Sequence, residues 1–243
     1  MDITLDSIRD IKLYQPKTGY RFSVDALLLY DFVNLGKINR IADLGAGSGI
    51  VGILLATKYP DATVALFEIQ ERLVLLAEKN IILNSLEGRV RVIKKDIRKI
   101  KNSHSPYAAR HYYDLVVSNP PFRVLKSGRM SVGEERAIAR HEVKLTLDEL
   151  VDTGSFLLRE KGRFCIIYHP SRTSELIGGL KKRGLEPKRL RFVHSNISSE
   201  AKMVLVEAAK GGKKGLKVEK PLFIYNDDGS YSDEMREIFK NHV

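Results

Sequence analysis

The chain has 243 residues, 43% of them hydrophobic and 29% charged, as expected for one sizeable α/β domain with additions. Its one cysteine, Cys165, lies in an apolar run and excludes an intrachain disulfide and a cysteine-rich zinc site. No apolar stretch reaches the roughly 20 residues of a membrane span, and residues 1–6 lack the order of a signal peptide. We therefore expect a cytoplasmic protein that binds no membrane.

The formal charge of +11 and the pI near 9.6 indicate an anionic partner. Nucleic acid is the first candidate and an anionic membrane the second. Lysine-rich surfaces also occur in thermophile proteins that bind no polyanion, so the distribution of the basic residues has to decide.

The chain opens with a predicted edge strand or short leading element at residues 6–14, a turn-rich aromatic and basic loop at 15–23, and a helix at 26–33 that Ser23 or Asp25 can cap. Predicted strands at 41–44, 64–68, 89–93, 113–117 and 162–168 then alternate with helices at 50–59, 70–84, 145–159 and 171–183. The last two strands, 188–194 and 202–208, are joined only by a loop and should be antiparallel, because a parallel crossover needs roughly a dozen residues.

This order predicts an α/β fold in which a seven-stranded, mostly parallel sheet with one antiparallel strand carries helices on both faces. We expect a single domain over residues 1–243. Its parts are an N-terminal extension at 1–36, a core at 37–210, and a basic loop with a C-terminal extension at 211–243.

Residues 43–49 (DLGAGSG) place three alternating glycines at a strand-to-helix turn. Such glycines let the backbone approach a ligand at a helix N-terminus, where N–H groups converge. Glu68 ends the next strand, at the place where an acid binds ribose hydroxyls in nucleotide-binding folds. Asp96 follows the third strand as a further acidic group.

Two cofactor classes fit this glycine pattern. Residues 47–52 satisfy G-x-G-x-x-G, and Glu68 follows at about the spacing of a dinucleotide site, which favours a nicotinamide-dependent oxidoreductase. The arrangement from Asp43 to Gly49 is instead D-x-G-x-G-x-G, which is typical of S-adenosylmethionine sites. That cofactor has no pyrophosphate, and its ammonium group suits the acidic strand end at Asp43.

The fourth strand runs into Asn119-Pro120-Pro121-Phe122. Proline ends a sheet ladder and biases its predecessor away from helix, so this loop should be rigid and extended. The Asn119 side-chain oxygen and the Pro120 carbonyl can accept both hydrogens of an amino group, which localises the nitrogen lone pair. Phe122 can stack on the ring that carries this amine.

Together these motifs resemble class I S-adenosylmethionine-dependent methyltransferases of the amino-methylating N-P-P-[YF] group, with a Rossmann-like fold. The resemblance implies that the glycine loop holds the methionine end, Glu68 the ribose, Asp96 the adenine, and Asn119 to Phe122 the target amine. The N-terminal extension at 1–36 is expected to cover the cofactor. The predicted catalytic residues are Asn119, Pro120, Pro121 and Phe122, and the predicted cofactor-binding residues are Tyr20, Arg21, Asp25, Asp43, Gly45, Gly47, Gly49, Glu68, Asp96, Ile97 and Asn119.

A narrower similarity is to bacterial tRNA(valine) adenine-N6-methyltransferases, which act beside the anticodon. It depends on residues 19–29 (GYRFSVDALLL), 139–142 (ARHE) and 222–225 (LFIY). A phenylalanine at the position of Phe122 also occurs in guanine-N2 rRNA methyltransferases. The motifs are also compatible with a glutamine N5-methyltransferase and with a noncatalytic RNA-binding module of the same fold.

Two basic segments are candidates for contact with RNA, which is tRNA in the narrower resemblance. The insert at 123–144 can cover the target base, and the glycine-rich loop at 210–217 can follow a phosphate backbone. The predicted substrate-binding residues are Arg123, Lys126, Arg129, Arg140, His141, Lys213 and Lys214. The spacing of His, Cys and Asp predicts no metal, and we expect a monomer.

Overall fold

The computed structural model describes residues 3–9, 11–16, 24–120 and 145–240. The chain begins with a hairpin of β1 (Ile3–Ile8) and β2 (Ile11–Pro16), followed by α1 (Val24–Phe32). Strands and helices then alternate through β3 (Arg40–Leu44), α2 (Ile50–Lys58), β4 (Thr63–Glu68), α3 (Glu71–Leu83), β5 (Val90–Lys94) and β6 (Tyr113–Ser118).

The second half contains α4 (Leu147–Leu157), β7 (Leu158–Tyr168), α5 (Thr173–Lys182), β8 (Leu185–His194) and β9 (Ala201–Lys210). Two short strands, β10 (Lys217–Val218) and β11 (Leu222–Phe223), and the helix α6 (Asp233–Phe239) complete it. Short 3-10 helices lie at Ile97–Asn102, Pro106–Ala108 and Pro170–Arg172.

The large sheet has the strand order β10-β8-β9-β7-β6-β3-β4-β5, with β11 also paired to β8. Only β9 runs antiparallel to its neighbours β7 and β8. The seven strands from β3 to β9 therefore confirm the predicted sheet with one antiparallel strand, and β10 and β11 extend its edge by two residues each.

Helices cover both faces of this sheet, as predicted. One apolar cluster joins α1, α2, α6 and β2 to the sheet through residues such as Leu28, Leu54 and Met235. The cluster on the other face contains α4 and α5, with Leu150 and Leu180 among its buried residues. Cys165 is fully buried in the first cluster, which confirms its predicted place in the core. Within the ranges that the structure describes, no helix is long and apolar enough to cross a membrane.

Strand β7 begins four residues earlier than its predicted start at 162, and the preceding helix ends at Leu157 rather than 159. Leu158 already has extended backbone angles and pairs with Tyr113 of β6. Lys161 takes a positive φ of 62°, and the β6–β7 register shifts between Tyr113 and Leu115. The sequence around 159–162 reads locally as a turn, and only the pairing with a distant strand makes it part of the sheet.

Gly52 allows α2 to pack directly on the sheet, and we predict that Gly52→Ala lowers the free energy of unfolding by about 1–3 kcal/mol. An added Cβ would overlap the Leu66 side chain and lie 3.2 Å from Val64 Cγ1. Gly178→Ala in α5 is the control, because nothing lies within 4 Å of its added Cβ. There the gain in helix propensity should stabilise the protein by about 0.5–1 kcal/mol. Urea unfolding of both variants measures the difference, and equal effects would contradict this packing.

Candidate active site

Four parallel strand ends meet at one edge of the sheet. β6, β3, β4 and β5 are consecutive neighbours, so the residues that follow them lie side by side. The chain leaves β5 at one side of this group and returns through β6 at the other side of β3. Ligands bind at such a switch point in open α/β sheets. The structure thus brings together the glycine loop, Glu68, Asp96 and Asn119.

The glycine loop adopts a backbone that favours glycine. Gly45, Gly47 and Gly49 have φ values of 74°, 59° and 87°, a region that side chains with a Cβ rarely adopt. The N–H groups of Gly45 and Ala46 both donate to the Phe67 carbonyl, at 2.9 and 3.0 Å. The turn is therefore fixed to the end of β4 before α2 begins at Ile50.

Glu68 is buried and accepts three backbone hydrogen bonds. Its Oε2 accepts the Gly47 N–H at 2.9 Å, while Oε1 accepts those of Ile69 and Gln70 at 2.9 and 2.8 Å. A carboxylate has about four lone-pair positions, so one remains at Oε2 for a ligand hydroxyl. Glu68 therefore shapes the glycine loop in addition to its predicted role toward ribose.

Asp43 is only 1% exposed and lies beneath the same loop. Its Oδ2 accepts the Gly52 N–H of α2 at 3.0 Å. Burial raises the pKa of Asp43 from 3.8 to about 7, and the nearby Glu68 carboxylate adds to this rise, although the bond from Gly52 opposes it. The carboxyl group is thus close to half protonated at neutral pH, and a cation placed beside it would favour the charged form.

Asp96 caps the 3-10 helix that follows β5 and is bound by its neighbour Arg98. Arg98 donates its backbone N–H and its Nε to Oδ1, at 3.0 and 2.9 Å, and its Nη2 to Oδ2 at 2.6 Å. These hydrogen bonds from Arg98 lower the pKa of Asp96, against the effect of desolvation. Ile97 is buried beside it. An adenine amino group at Asp96 would have to share this carboxylate with Arg98.

Asn119 lies next to the glycine loop because the ends of β6 and β3 are joined. The buried Ser118 hydroxyl donates to the Leu44 carbonyl at 2.7 Å, so the residues after them, Asn119 and Gly45, are neighbours at the sheet edge. Asn119 is half-buried and Pro120 is buried. The arrangement can hold a planar amine beside a ligand of the glycine loop.

The remaining predicted site residues lie in α1, outside the described residues, or at the other end of the sheet. Asp25 lies in the first turn of α1. Tyr20, Arg21, Pro121, Phe122, Arg123, Lys126, Arg129, Arg140 and His141 lie outside the described residues. Lys213 and Lys214 follow β9, whose end pairs with the start of β8. They therefore lie at the opposite edge of the sheet from Asn119.

Residues 23–175, more than half of the chain, match the methyltransferase small domain. The chain belongs to the methyltransferase small-domain family. This confirms the methyltransferase resemblance and decides between the two cofactor classes, so the methyltransferase uses S-adenosylmethionine rather than a nicotinamide dinucleotide. The described residues contain no group of three or more His, Cys, Asp or Glu side chains that could hold a metal ion.

Curated relatives of the methyltransferase cover nearly its whole length. A tRNA1(Val) (adenine(37)-N6)-methyltransferase of Pedobacter heparinus is 26% identical over 96% of this chain and 95% of that protein. A protein of the same name from Porphyromonas gingivalis is 31% identical over 85% of this chain and 81% of its own.

Solved structures share the fold. A protein described as a predicted O-methyltransferase, from Agrobacterium tumefaciens, superposes with a TM-score of 0.70 at 21% identity, over 90% of this chain and all of that one. The geranyl diphosphate C-methyltransferase of Streptomyces coelicolor, solved with S-adenosyl-L-homocysteine, has a TM-score of 0.56 at 11% identity and covers 76% of both chains. These likenesses confirm the Rossmann-like fold of the methyltransferase.

The geometry of the methyltransferase site fits its cofactor. Nothing lies within 4 Å of a Cβ added at Gly45, Glu68 keeps acceptor capacity, and burial makes the charge of Asp43 unfavourable until a cation approaches, as expected from their predicted roles. Sequence reasoning missed two polar side chains that support this site, Asn80 and Ser118. The sequence around a single buried asparagine or serine carries no signal of such a role, and only its distant carbonyl partner shows it.

The raised pKa of Asp43 predicts a pH-dependent loss of stability. Between about pH 4 and pH 7 the folded protein keeps a proton that the unfolded chain releases, so the free energy of unfolding falls as the pH rises through this range. Asp43→Asn has no charge to desolvate and retains an acceptor for Gly52. In urea unfolding, the difference in free energy of unfolding between this variant and wild type should shift in favour of the variant by on the order of 2 kcal/mol from pH 5 to pH 8.

Asp114→Asn serves as the control. Hydrogen bonds from Arg159, Asn39 and Arg40 outweigh desolvation and hold the pKa of Asp114 below 3.8. Asp114 is then charged in both the folded and the unfolded protein above about pH 5. The difference in free energy of unfolding between Asp114→Asn and wild type should therefore stay constant over the same pH range. A difference for Asp43→Asn that is equally constant would contradict the raised pKa.

Proposed function

We propose that this methyltransferase transfers the methyl group of S-adenosylmethionine to the exocyclic N6 amine of an adenine in a tRNA anticodon loop. The observation that carries the proposal is the position of Asn119 and Pro120 beside the glycine loop, held by the bond from Ser118 to the Leu44 carbonyl. The names of the curated relatives support the choice of tRNA and adenine.

The role of Asn119 is to position and polarise the amine. Its side-chain oxygen and the Pro120 carbonyl accept the two amino hydrogens, so the nitrogen lone pair turns away from the ring and toward the methyl group. Bound S-adenosylmethionine would supply the methyl group in a direct transfer, in which its S–C bond would break as the new N–C bond forms. The amine proton leaves to solvent afterwards, so no base is needed before transfer.

A loop base suits this site because it is already partly unpaired. An adenine within a helix would first have to lose its pairing and stacking, at a cost of a few kcal/mol. Guanine N2 is the second candidate, because its amino group would satisfy the same two acceptors and Phe122 occurs in guanine enzymes as well.

We expect Asn119→Ala to lower turnover by about 10²–10³-fold and to weaken S-adenosylhomocysteine binding far less, because the main action of Asn119 is on the amine. The substrate for this comparison is total RNA from a strain that lacks the enzyme, and the product is identified by nucleoside mass spectrometry. Wild type should produce N6-methyladenosine in the tRNA fraction.

The outcomes of this experiment separate the candidate targets. Label in N2-methylguanosine would overturn the adenine target and leave the fold and cofactor in place. Methyl transfer to a protein extract of the same strain, with none to its RNA, would favour the glutamine target. Near wild-type turnover of Asn119→Ala would show that the assigned role of Asn119 is wrong.

The RNA backbone has a candidate path along one side of the sheet, which we call the lysine edge and define as Lys188, Lys213, Lys214, Lys217 and Lys220. After β9 the chain runs alongside β8, because β10 pairs with the two middle residues of β8 and β11 with its last two residues. The ten residues of β8 span about 30 Å. The lysine edge thus runs along β8 from the amino ends of the parallel strands toward their carboxyl ends, where Asn119 lies.

Most of the charge on this path is available to a polyanion. Among the residues described, Lys213, Lys214 and Lys220 have no carboxylate partner. Lys217 is 73% exposed and lies 3.8 Å from Glu219, which already pairs with Arg189 at 3.2 Å. A pair of this kind at the surface contributes little, so Lys217 can exchange it for a phosphate. This distribution favours an RNA partner over a lysine-rich surface that binds no polyanion.

Replacing both Lys213 and Lys214 by Ala should weaken binding of a tRNA transcript and reduce the slope of log affinity against log salt concentration by about 2. The control is Arg72→Ala with Lys79→Ala on α3, which removes the same charge from two exposed residues on the opposite side of the sheet. A fluorescence-anisotropy titration from low to moderate salt measures both. Equal slopes in the two variants would contradict a specific lysine edge.

A further inference from the structure

Two asparagines, Asn80 in α3 and Asn84 at the C-cap of this helix, bind strand β2 as a neighbouring strand would. Asn84 Oδ1 accepts the Lys12 N–H at 2.9 Å, and its Nδ2 donates to the Lys12 carbonyl at 2.7 Å. Asn80 does the same with Tyr14, at 2.7 and 3.1 Å. Four helical residues rise about 6 Å and two strand residues about 6.8 Å, so side chains one turn apart match alternate residues of the strand.

Asn80 makes one further bond that leads into the active site. Its Nδ2 also donates to the Ser48 carbonyl of the glycine loop at 3.0 Å. Both amide hydrogens of Asn80 are then used, and its side chain is 0% exposed. Asn84 directs its second hydrogen elsewhere, to the Asn80 carbonyl at 2.7 Å in its own helix.

The orientation of the Ser48 carbonyl controls the conformation of the loop. It lies between Gly47, whose N–H is bound by Glu68, and Gly49, whose N–H donates to the Ala46 carbonyl at 2.9 Å. A Ser48 peptide that turned toward water would carry the Gly49 N–H with it and break this turn. A loop that is only partly in its binding conformation has a proportionally lower apparent affinity.

We propose that Asn80 is a positioning residue for the cofactor, which couples the docking of the N-terminal hairpin β1–β2 to the shape of residues 45–49. The inference rests on the assignment of that loop to S-adenosylmethionine. Through Asn80 the hairpin supports the loop from a distance, and a bound cofactor in turn holds the hairpin in place. The coupling is reciprocal, because each event favours the same arrangement of one side chain.

Hydrogen exchange of the wild-type protein tests the coupling without any variant. Saturating S-adenosylhomocysteine should slow exchange of the Gly47 and Gly49 amides in the loop. It should also slow exchange of the Tyr14 amide, which donates its hydrogen bond to Asn80 Oδ1. Slower exchange in the loop with no change at Tyr14 would overturn the coupling. No slowing in the loop itself would instead show that the cofactor site is assigned wrongly, and the inference would fall with it.

Variants of the two asparagines separate Asn80 from the hairpin as a whole. Asn80→Ala should weaken S-adenosylhomocysteine binding by about tenfold, because a buried carbonyl loses its donor. It should raise KM for S-adenosylmethionine and leave kcat within about twofold. Asn84→Ala loses its contacts with β2 but none with the loop, so its affinity should stay within about twofold to threefold of wild type.

Asn80→Ser is the second variant if Asn80→Ala does not fold, because a serine hydroxyl can donate to a carbonyl of its own helix and is too short to bond to Ser48. Calorimetry with S-adenosylhomocysteine measures the affinities. Wild-type affinity in a folded Asn80 variant, or an equal loss in Asn84→Ala, would overturn the assignment of Asn80 as the connecting residue.

Discussion

The buried carboxylate of Glu68 is the constraint on which the active site depends. It accepts N–H groups from the glycine loop after β3 and from the start of α3, so one side chain fixes two loops that are more than 20 residues apart in the chain. Without Glu68 these N–H groups would lack a protein partner, and each one left buried and unpaired would lower the stability of the fold by about 1–3 kcal/mol. The hydrogen bonds to Glu68 therefore hold the glycine loop in its observed shape.

Side-chain to backbone bonds hold the loop from two further directions. Asn80 binds the Ser48 carbonyl from the side of α3, and Ser118 binds the Leu44 carbonyl from the side of β6. Neither is a group that reacts. Because methyl transfer requires little more than correct placement of two reactants, such buried hydrogen bonds are a direct contribution to the proposed catalysis.

The fold separates the chemistry from the positive charge that attracts the substrate. The described acidic and amide side chains of the site lie at the carboxyl ends of β3 to β6, whereas Lys213 and Lys214 lie at the other end of the sheet. The strands β10 and β11 connect the two regions along the side of β8.

The sequence by itself determined the α/β order, the antiparallel strand, the glycine loop and the family, because each depends on local periodicity or on short motifs whose chemistry is read from neighbouring residues. Only the tertiary structure decided the early start of β7 at Leu158, the bond from Asn80 to Ser48 and the distance of Lys213 from Asn119. The first two depend on partners 45 and 32 residues away, respectively, in the chain. The third depends on the register of β9, in which Lys210 pairs with Leu185 at the start of β8 and the basic loop therefore begins at the end of the sheet opposite the site.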